Sequence, residues 1–226
     1  MDKQTFIQKA WELSARYTCS PEVKAHLAQL ELIATVGATG AGKTTLMESS
    51  GIPYVLSDVT REPRRQEKDG VDYNFRTDYD KLWAELENGE FVQYYVSQTF
   101  EFYGTKATAY PKEGFCTLAL IASLLNLFNN LGFHSIVPIY ILPPNYTEWM
   151  RRAENNYDGE VKKRLIEAKE SIELALSEPS YNFLVNDDLN MAIKEFQNIA
   201  YGKEKDPAYQ ERAREVAIDL LTKIEL

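Results

Sequence analysis

The residues Gly37-Ala38-Thr39-Gly40-Ala41-Gly42-Lys43-Thr44 set three glycines ahead of an ammonium and a hydroxyl, in the spacing G-x-x-x-x-G-K-[ST]. Glycines in such a turn let successive backbone N–H groups converge on one anionic centre. A lysine directly after the turn reaches terminal phosphates, and the neighbouring hydroxyl is a ligand for Mg²⁺. The context agrees: residues 32–36 read as a buried strand, and Thr45-Leu46-Met47-Glu48 continues as a helix. A glycine turn that merely joins strand to helix needs neither Lys43 nor Thr44 at these offsets. The run points to a nucleoside triphosphate site made by Gly37, Thr39, Gly40, Ala41, Gly42, Lys43, Thr44 and Thr45, with Thr44 as the metal ligand.

A second cluster follows within residues 57–75, where Arg61, Arg64 and Arg65 fall inside five positions of a chain whose formal charge is −9. Planar guanidiniums grip phosphate bidentately, and a tyrosine hydroxyl such as that of Tyr73 adds a donor. A charge run is ordinarily a solvated loop. Its place one short unit after a phosphate cradle makes a second phosphate site the more economical reading.

These clusters require elements to hold them. Short apolar runs at 32–36, 54–56, 91–96, 116–121, 136–142 and 181–185 read as strands, and helices open near Gly42, Asp78, Ser123, Asn145 and Gly159. Gly89 and Gly132 read as helix stops. Such alternation predicts an α/β fold with a parallel sheet flanked by helices. Residues 1–31 read as a helical extension with Phe6, Ile7, Ala10, Trp11, Leu13 and Tyr17 on one face and a Ser20-Pro21 helix start. Asp206-Pro207 opens a last helix, which docks on the body or mediates a dimer.

Composition narrows the function classes. A chain of 226 residues with 44% hydrophobic residues can bury a sizeable core, so disorder is excluded. The negative charge argues against nucleic acid or a membrane surface as the main partner. The two cysteines, Cys19 and Cys116, are too few for a disulfide framework, and with no apolar leader this predicts a cytoplasmic protein. His26 and His134 lack metal-ligand spacing and read as structural.

Beyond the two clusters, Thr60-Arg61-Glu62-Pro63-Arg64, Gly70-Val71-Asp72-Tyr73-Asn74-Phe75, Tyr103-Gly104-Thr105, Pro143-Pro144 and Val185-Asn186-Asp187 follow in order. With the P-loop, this pattern resembles the guanylate kinase family from about residue 33 to residue 200. The resemblance implies a P-loop domain over 32–204, with a monophosphate-binding segment at about 57–105, a lid at about 146–164 and a separate C-terminal helix at 205–226. It implies ATP and Mg²⁺ as cofactors and a nucleoside monophosphate as acceptor, in a monomer or homodimer. By it, Arg61, Arg64, Tyr73 and Tyr103 hold the acceptor phosphate, Ser57 and Thr105 face its base, and Asn186 lies near the base of ATP. Lys43 with Arg152 and Arg164 of the lid serve the transferring phosphoryl group.

The chain departs from the family where guanine is read. Gln93 stands in place of a glutamate, and Ile121 in place of an aspartate. Ala119 replaces an acid that supports Mg²⁺, and Asn156 stands where a second lid arginine is expected. An unpaired donor costs about 1–3 kcal/mol, so these departures leave the acceptor base unassigned, and it need not be guanine. Two readings follow: a monophosphate kinase for a base with fewer donors, such as uracil or thymine, or a catalytically weakened nucleotide-binding or interaction protein. The intact Lys43, Thr44, Arg61 and Arg64 favour the first. Asp58 is a candidate substitute metal partner or a turn residue.

Overall fold

A computed structural model of the chain describes residues 1–64, 67–153, 161–203 and 206–224. Arg65, Asn156 and the helix start expected near Gly159 lie outside the described residues. The chain divides into two compact units, one comprising Met1–Leu30, Pro53–Cys116 and Leu131–His134, the other Glu31–Ile52, Thr117–Asn130 and Ser135–Leu226.

The first unit holds α1 (Lys3–Ser14), α2 (Pro21–Leu27), β2 (Asp58–Val59), β3 (Asn74–Phe75), α4 (Tyr79–Glu87), β4 (Phe91–Val96) and β5 (Phe102–Lys106). Its sheet runs β3-β2-β5-β4. The β2–β3 pair is parallel, and β5 is antiparallel to both β2 and β4. Phe6, Ile7 and Ala10 of α1 bury against Leu82, Leu86, Phe91, Tyr94 and Phe102. The N-terminal helices thus share a core with the segment that carries the arginine cluster. Trp11, expected on the buried face, is 59% exposed, because the helix closes its contacts with Phe6, Ile7 and Ala10.

The second unit is built on β1 (Leu30–Val36), β7 (Ser135–Leu142) and β8 (Asn182–Val185) in a sheet of order β6-β1-β7-β8, where β6 is Gly114–Ala119. The β1–β7 and β7–β8 pairs are parallel, as the alternation predicts. Their residues are apolar almost without break, which suits a sheet covered on both faces. Around them lie α3 (Lys43–Ser49), α5 (Leu125–Asn129), α6 (Tyr146–Ala153), α7 (Val161–Ser177), α8 (Leu189–Ala200) and α9 (Pro207–Lys223). The last helix, α9, packs on β7, β8 and α7.

Three sequence expectations change. The strand placed at 54–56 lies instead at Asp58–Val59, where pairing with Gly104 and Tyr103 fixes the ladder. The sheet of the first unit is mixed rather than parallel, and its strands β3 and β5 escape the apolar-run criterion. Gly104 reads as a strand breaker, yet a Cβ there would stand 2.8 Å from the rings of Phe91 and Phe102, so the glycine makes room for that aromatic packing. Helix α8, opened by the Asp188 side chain accepting from Met191 N–H, was absent from the expected set.

Candidate nucleotide-binding site

In the second unit the turn between β1 and α3 forms a cradle held through its carbonyls. Lys43 Nζ donates to the carbonyls of Gly37 at 2.7 Å and Ala38 at 3.0 Å. Trp149 Nε1–H donates to the Thr39 carbonyl, and Asn186 Nδ2 to that of Ala41, both at 2.9 Å. Gly37, Gly40 and Gly42 have φ of 150°, 83° and 91°, conformations that L side chains rarely adopt. A Cβ at Gly37 would lie 2.5 Å from the Ile141 carbonyl oxygen, and one at Gly40 would lie 3.2 Å from Ala153. Space and backbone sign together demand glycine. The Ala41 N–H closes a tight turn onto the Ala38 carbonyl, while no acceptor among the described residues engages the N–H groups of Gly40 or Gly42. The Thr44 hydroxyl makes no hydrogen bond among the described residues. The donor set fits a polyphosphate with a Mg²⁺ held by Thr44. Thr45 is exposed.

Two cations expected to serve the transferring group lie in this unit. Arg152 of α6 donates from Nε to Glu148 at 2.7 Å and from an Nη to the Asn186 carbonyl at 2.9 Å. Glu148, gripped first by Arg151 and then by Arg152, has its pKa pulled down to about 2. Arg164 of α7 pairs with Glu167 at 2.7 Å. Asn186, expected near the base of ATP, is 6% exposed and spends its amide on the P-loop backbone.

In the first unit Arg61 is the centre of the arginine cluster. Its two Nη atoms grip Glu67 bidentately at 2.6 and 2.7 Å, and its guanidinium stacks 4.8 Å from the ring centre of Tyr73 and 5.5 Å from that of Phe75. Burial works against the charge of Arg61, but the Glu67 carboxylate outweighs it and raises the pKa. Burial likewise pushes Glu67 up, and the hydrogen bonds from Arg61 and the Arg64 backbone overcome it, leaving the carboxyl below its ordinary range. The Nε of Arg61 is buried and has no hydrogen-bond partner among the described residues. Arg64 lies 3.9 Å from Glu67 and is half-exposed. Burial raises the Tyr73 hydroxyl pKa against the pull of Arg61. Tyr103 stacks on Tyr95 with ring centres 5.1 Å apart.

Strand alternation groups Ser57, Tyr103, Thr105 and Gln93 on one face of the sheet β3-β2-β5-β4. Ser57 is half-buried, whereas Thr105 is 1% and Gln93 6% exposed. Gln93 Nε2 donates to Thr105 Oγ1 at 3.4 Å, and that oxygen shares a 2.9 Å hydrogen bond with the Tyr110 hydroxyl. Gln93 Oε1 is buried with no hydrogen-bond partner among the described residues. The face opposite carries an ion network that the sequence reading missed. Asp58, 2% exposed, accepts from Asn74 and Arg76, and Arg76 also donates to Glu85 at 2.7 Å. Lys106 joins Glu85 at 2.9 Å to Glu90 at 3.2 Å. Asp58 is therefore a structural carboxylate neutralised by Arg76, and not a metal partner. The residues of this network are far apart in sequence, so no local spacing announces them. Trp149 and Tyr110 were likewise missed, because single aromatic residues ordinarily read as core.

Among the described residues no helix is long and apolar enough to cross a membrane. A family model described as guanylate kinase matches residues 30–201. The chain is 29% identical over 184 residues to a guanylate kinase of Myxococcus xanthus, with 74% of this chain and 84% of that protein covered. It is 31% identical over 184 residues to a guanylate kinase of Clostridioides difficile, covering 74% of this chain and 85% of the other. The crystal structure of guanylate kinase from Anaplasma phagocytophilum matches with a TM-score of 0.53 at 21% identity, over 77% of this chain and 87% of that one, and supports the α/β fold. With residues 30–201 matched and the glycine cradle and arginine cluster both in place, the chain belongs to the guanylate kinase family.

Proposed function

We propose that this protein transfers the γ-phosphate of ATP to a nucleoside monophosphate whose base is not guanine but a donor-poor one such as uracil or thymine. The observation that carries the base assignment is Gln93: a neutral amide stands where the resemblance calls for a carboxylate, and its oxygen is a buried acceptor with no hydrogen-bond partner among the described residues. An unmet buried acceptor costs about 1–3 kcal/mol, which a ligand N–H relieves. The single imide N–H of uracil or thymine supplies one donor, and its ring carbonyls accept from Ser57 and Thr105. Guanine brings donors for which the resemblance calls for carboxylates at positions 93 and 121, where this chain has Gln93 and Ile121.

The chemistry asks little of the protein beyond placement and charge. The acceptor phosphate is already ionised near neutral pH, so no general base is required. Arg61, Arg64, Tyr73 and Tyr103 bind and orient it. Lys43 and the cradle N–H groups hold the β- and γ-phosphates, and Arg152 and Arg164 supply positive charge as the group moves. Thr44 would hold a Mg²⁺, which would supply positive charge to offset that of the phosphates. The second reading, a weakened nucleotide-binding or interaction protein, draws on the missing acids at Ala119 and Ile121 and the missing arginine at Asn156, and the complete cradle speaks against it.

The base assignment is tested by Gln93→Glu combined with Ile121→Asp. This double variant is expected to bind GMP about ten- to a hundredfold more tightly, as measured by calorimetry, by restoring two acceptors. Unimproved GMP binding would contradict the pocket described for the base.

A further inference from the structure

A phosphate cradle works only when its N–H groups face the ligand, and their direction is set by where the loop carbonyls go. In a trans peptide the C=O of one residue and the N–H of the next point in opposite directions. The Thr39 carbonyl is held by the Trp149 indole at 2.9 Å, so the Gly40 N–H is turned away from α6. The Ala41 carbonyl is held by Asn186 in the same way, which turns out the Gly42 N–H. Trp149 is 0% exposed, with Tyr146 edge-on at 5.9 Å, so its ring has no freedom to release the loop without repacking. Backbone contact supports the coupling, because a Cβ at Gly40 would meet Ala153 at 3.2 Å. A purely apolar side chain at position 149 would fill the space but take away the donor that holds the Thr39 carbonyl. That peptide could then rotate and withdraw the Gly40 N–H.

We propose that Trp149 is a positioning residue for the triphosphate: its indole N–H fixes the Thr39–Gly40 peptide so that the Gly40 N–H is aimed before ATP arrives. It follows that the indole reports on occupancy of the cradle. The inference rests on the kinase reading only for the identity of the ligand as ATP.

The test is Trp149→Phe, which keeps an aromatic ring and removes the donor. ATP affinity is measured by calorimetry well below the melting temperature, and the melting temperature of the unliganded protein is recorded alongside. The dissociation constant for ATP is expected to rise about five- to tenfold. A folded variant that binds ATP like the wild type, with only its melting temperature lowered, marks a merely structural residue and overturns the proposal. Should Trp149→Phe fail to fold, Trp11→Phe with Trp83→Phe decides, because it leaves Trp149 as the last of the three tryptophans. Emission that shifts saturably with ATP supports the proposal, and a silent indole overturns it. A wild type that does not bind ATP overturns the kinase reading together with this inference, whereas ATP binding unaffected in Trp149→Phe overturns the inference alone.

Discussion

Arg61 carries the acceptor side of the account. Its Nη atoms already hold Glu67 at 2.6 and 2.7 Å, so the guanidinium is oriented before any ligand binds, and its buried Nε has no hydrogen-bond partner among the described residues. Arg61→Met is expected to raise the KM for the acceptor by about ten- to a hundredfold with little change in the KM for ATP, as initial-rate kinetics will show. An equal rise for both substrates would place Arg61 outside the acceptor site. The arginines were legible in the sequence because three of them fall within five positions of an acidic chain. Glu67 was legible only as a charge, and its bidentate grip on Arg61 depends on how the loop closes. Gln93 could be read as a substitution, but its bond to Thr105, whose hydroxyl also meets that of Tyr110, arises from the β4–β5 register and the packing of a residue further along the chain.

At the scale of elements, two side-chain sets keep strands where the site needs them. Arg76 links Asp58 of β2 to Glu85 of α4, on the strand segment that also presents Ser57 and leads to Arg61. Arg76→Met leaves the buried Asp58 without its cation and Glu85 with Lys106 alone, and is expected to destabilise the protein by about 3 kcal/mol in denaturant titration. Burial raises the Glu85 pKa, but Lys106 and then Arg76 override it, so the folded value lies below the unfolded one. Stability from this pairing is therefore full above the unfolded carboxylate pKa and is lost as pH falls through the lowered folded value. Removing Arg76 should flatten that acid limb. The second set lies at β8, an outer strand whose Phe183 backbone is satisfied by the Gln210 side chain of α9 at 2.9 and 3.1 Å. Gln210→Ala is expected to cost about 1–2 kcal/mol in thermal melts, and no loss would show that α9 docks without need of these two hydrogen bonds. The long apolar strands were readable from composition, whereas the two-residue strands β2 and β3 were not, since pairing with distant partners is what makes them strands.

For the whole molecule, the chemistry requires one chain to hold two nucleotides. On the proposed function the glycine cradle of the second unit takes the triphosphate, and the arginines of the first take the monophosphate. A chain of 226 residues with a charge of −9 repels polyanions at large, so binding phosphate depends on these local donor sets rather than on net attraction. The fold class was readable from strand and helix alternation over the second unit. The mixed sheet of the first was hidden by short strands and by a glycine placed for ring packing. The most direct measurement is diphosphate formation by the purified chain with ATP, Mg²⁺ and each ribo- and deoxynucleoside monophosphate in turn. The account predicts turnover, fastest with a uracil or thymine monophosphate and slower with GMP. It is contradicted by GMP as the preferred acceptor, or by ATP binding without turnover of any monophosphate.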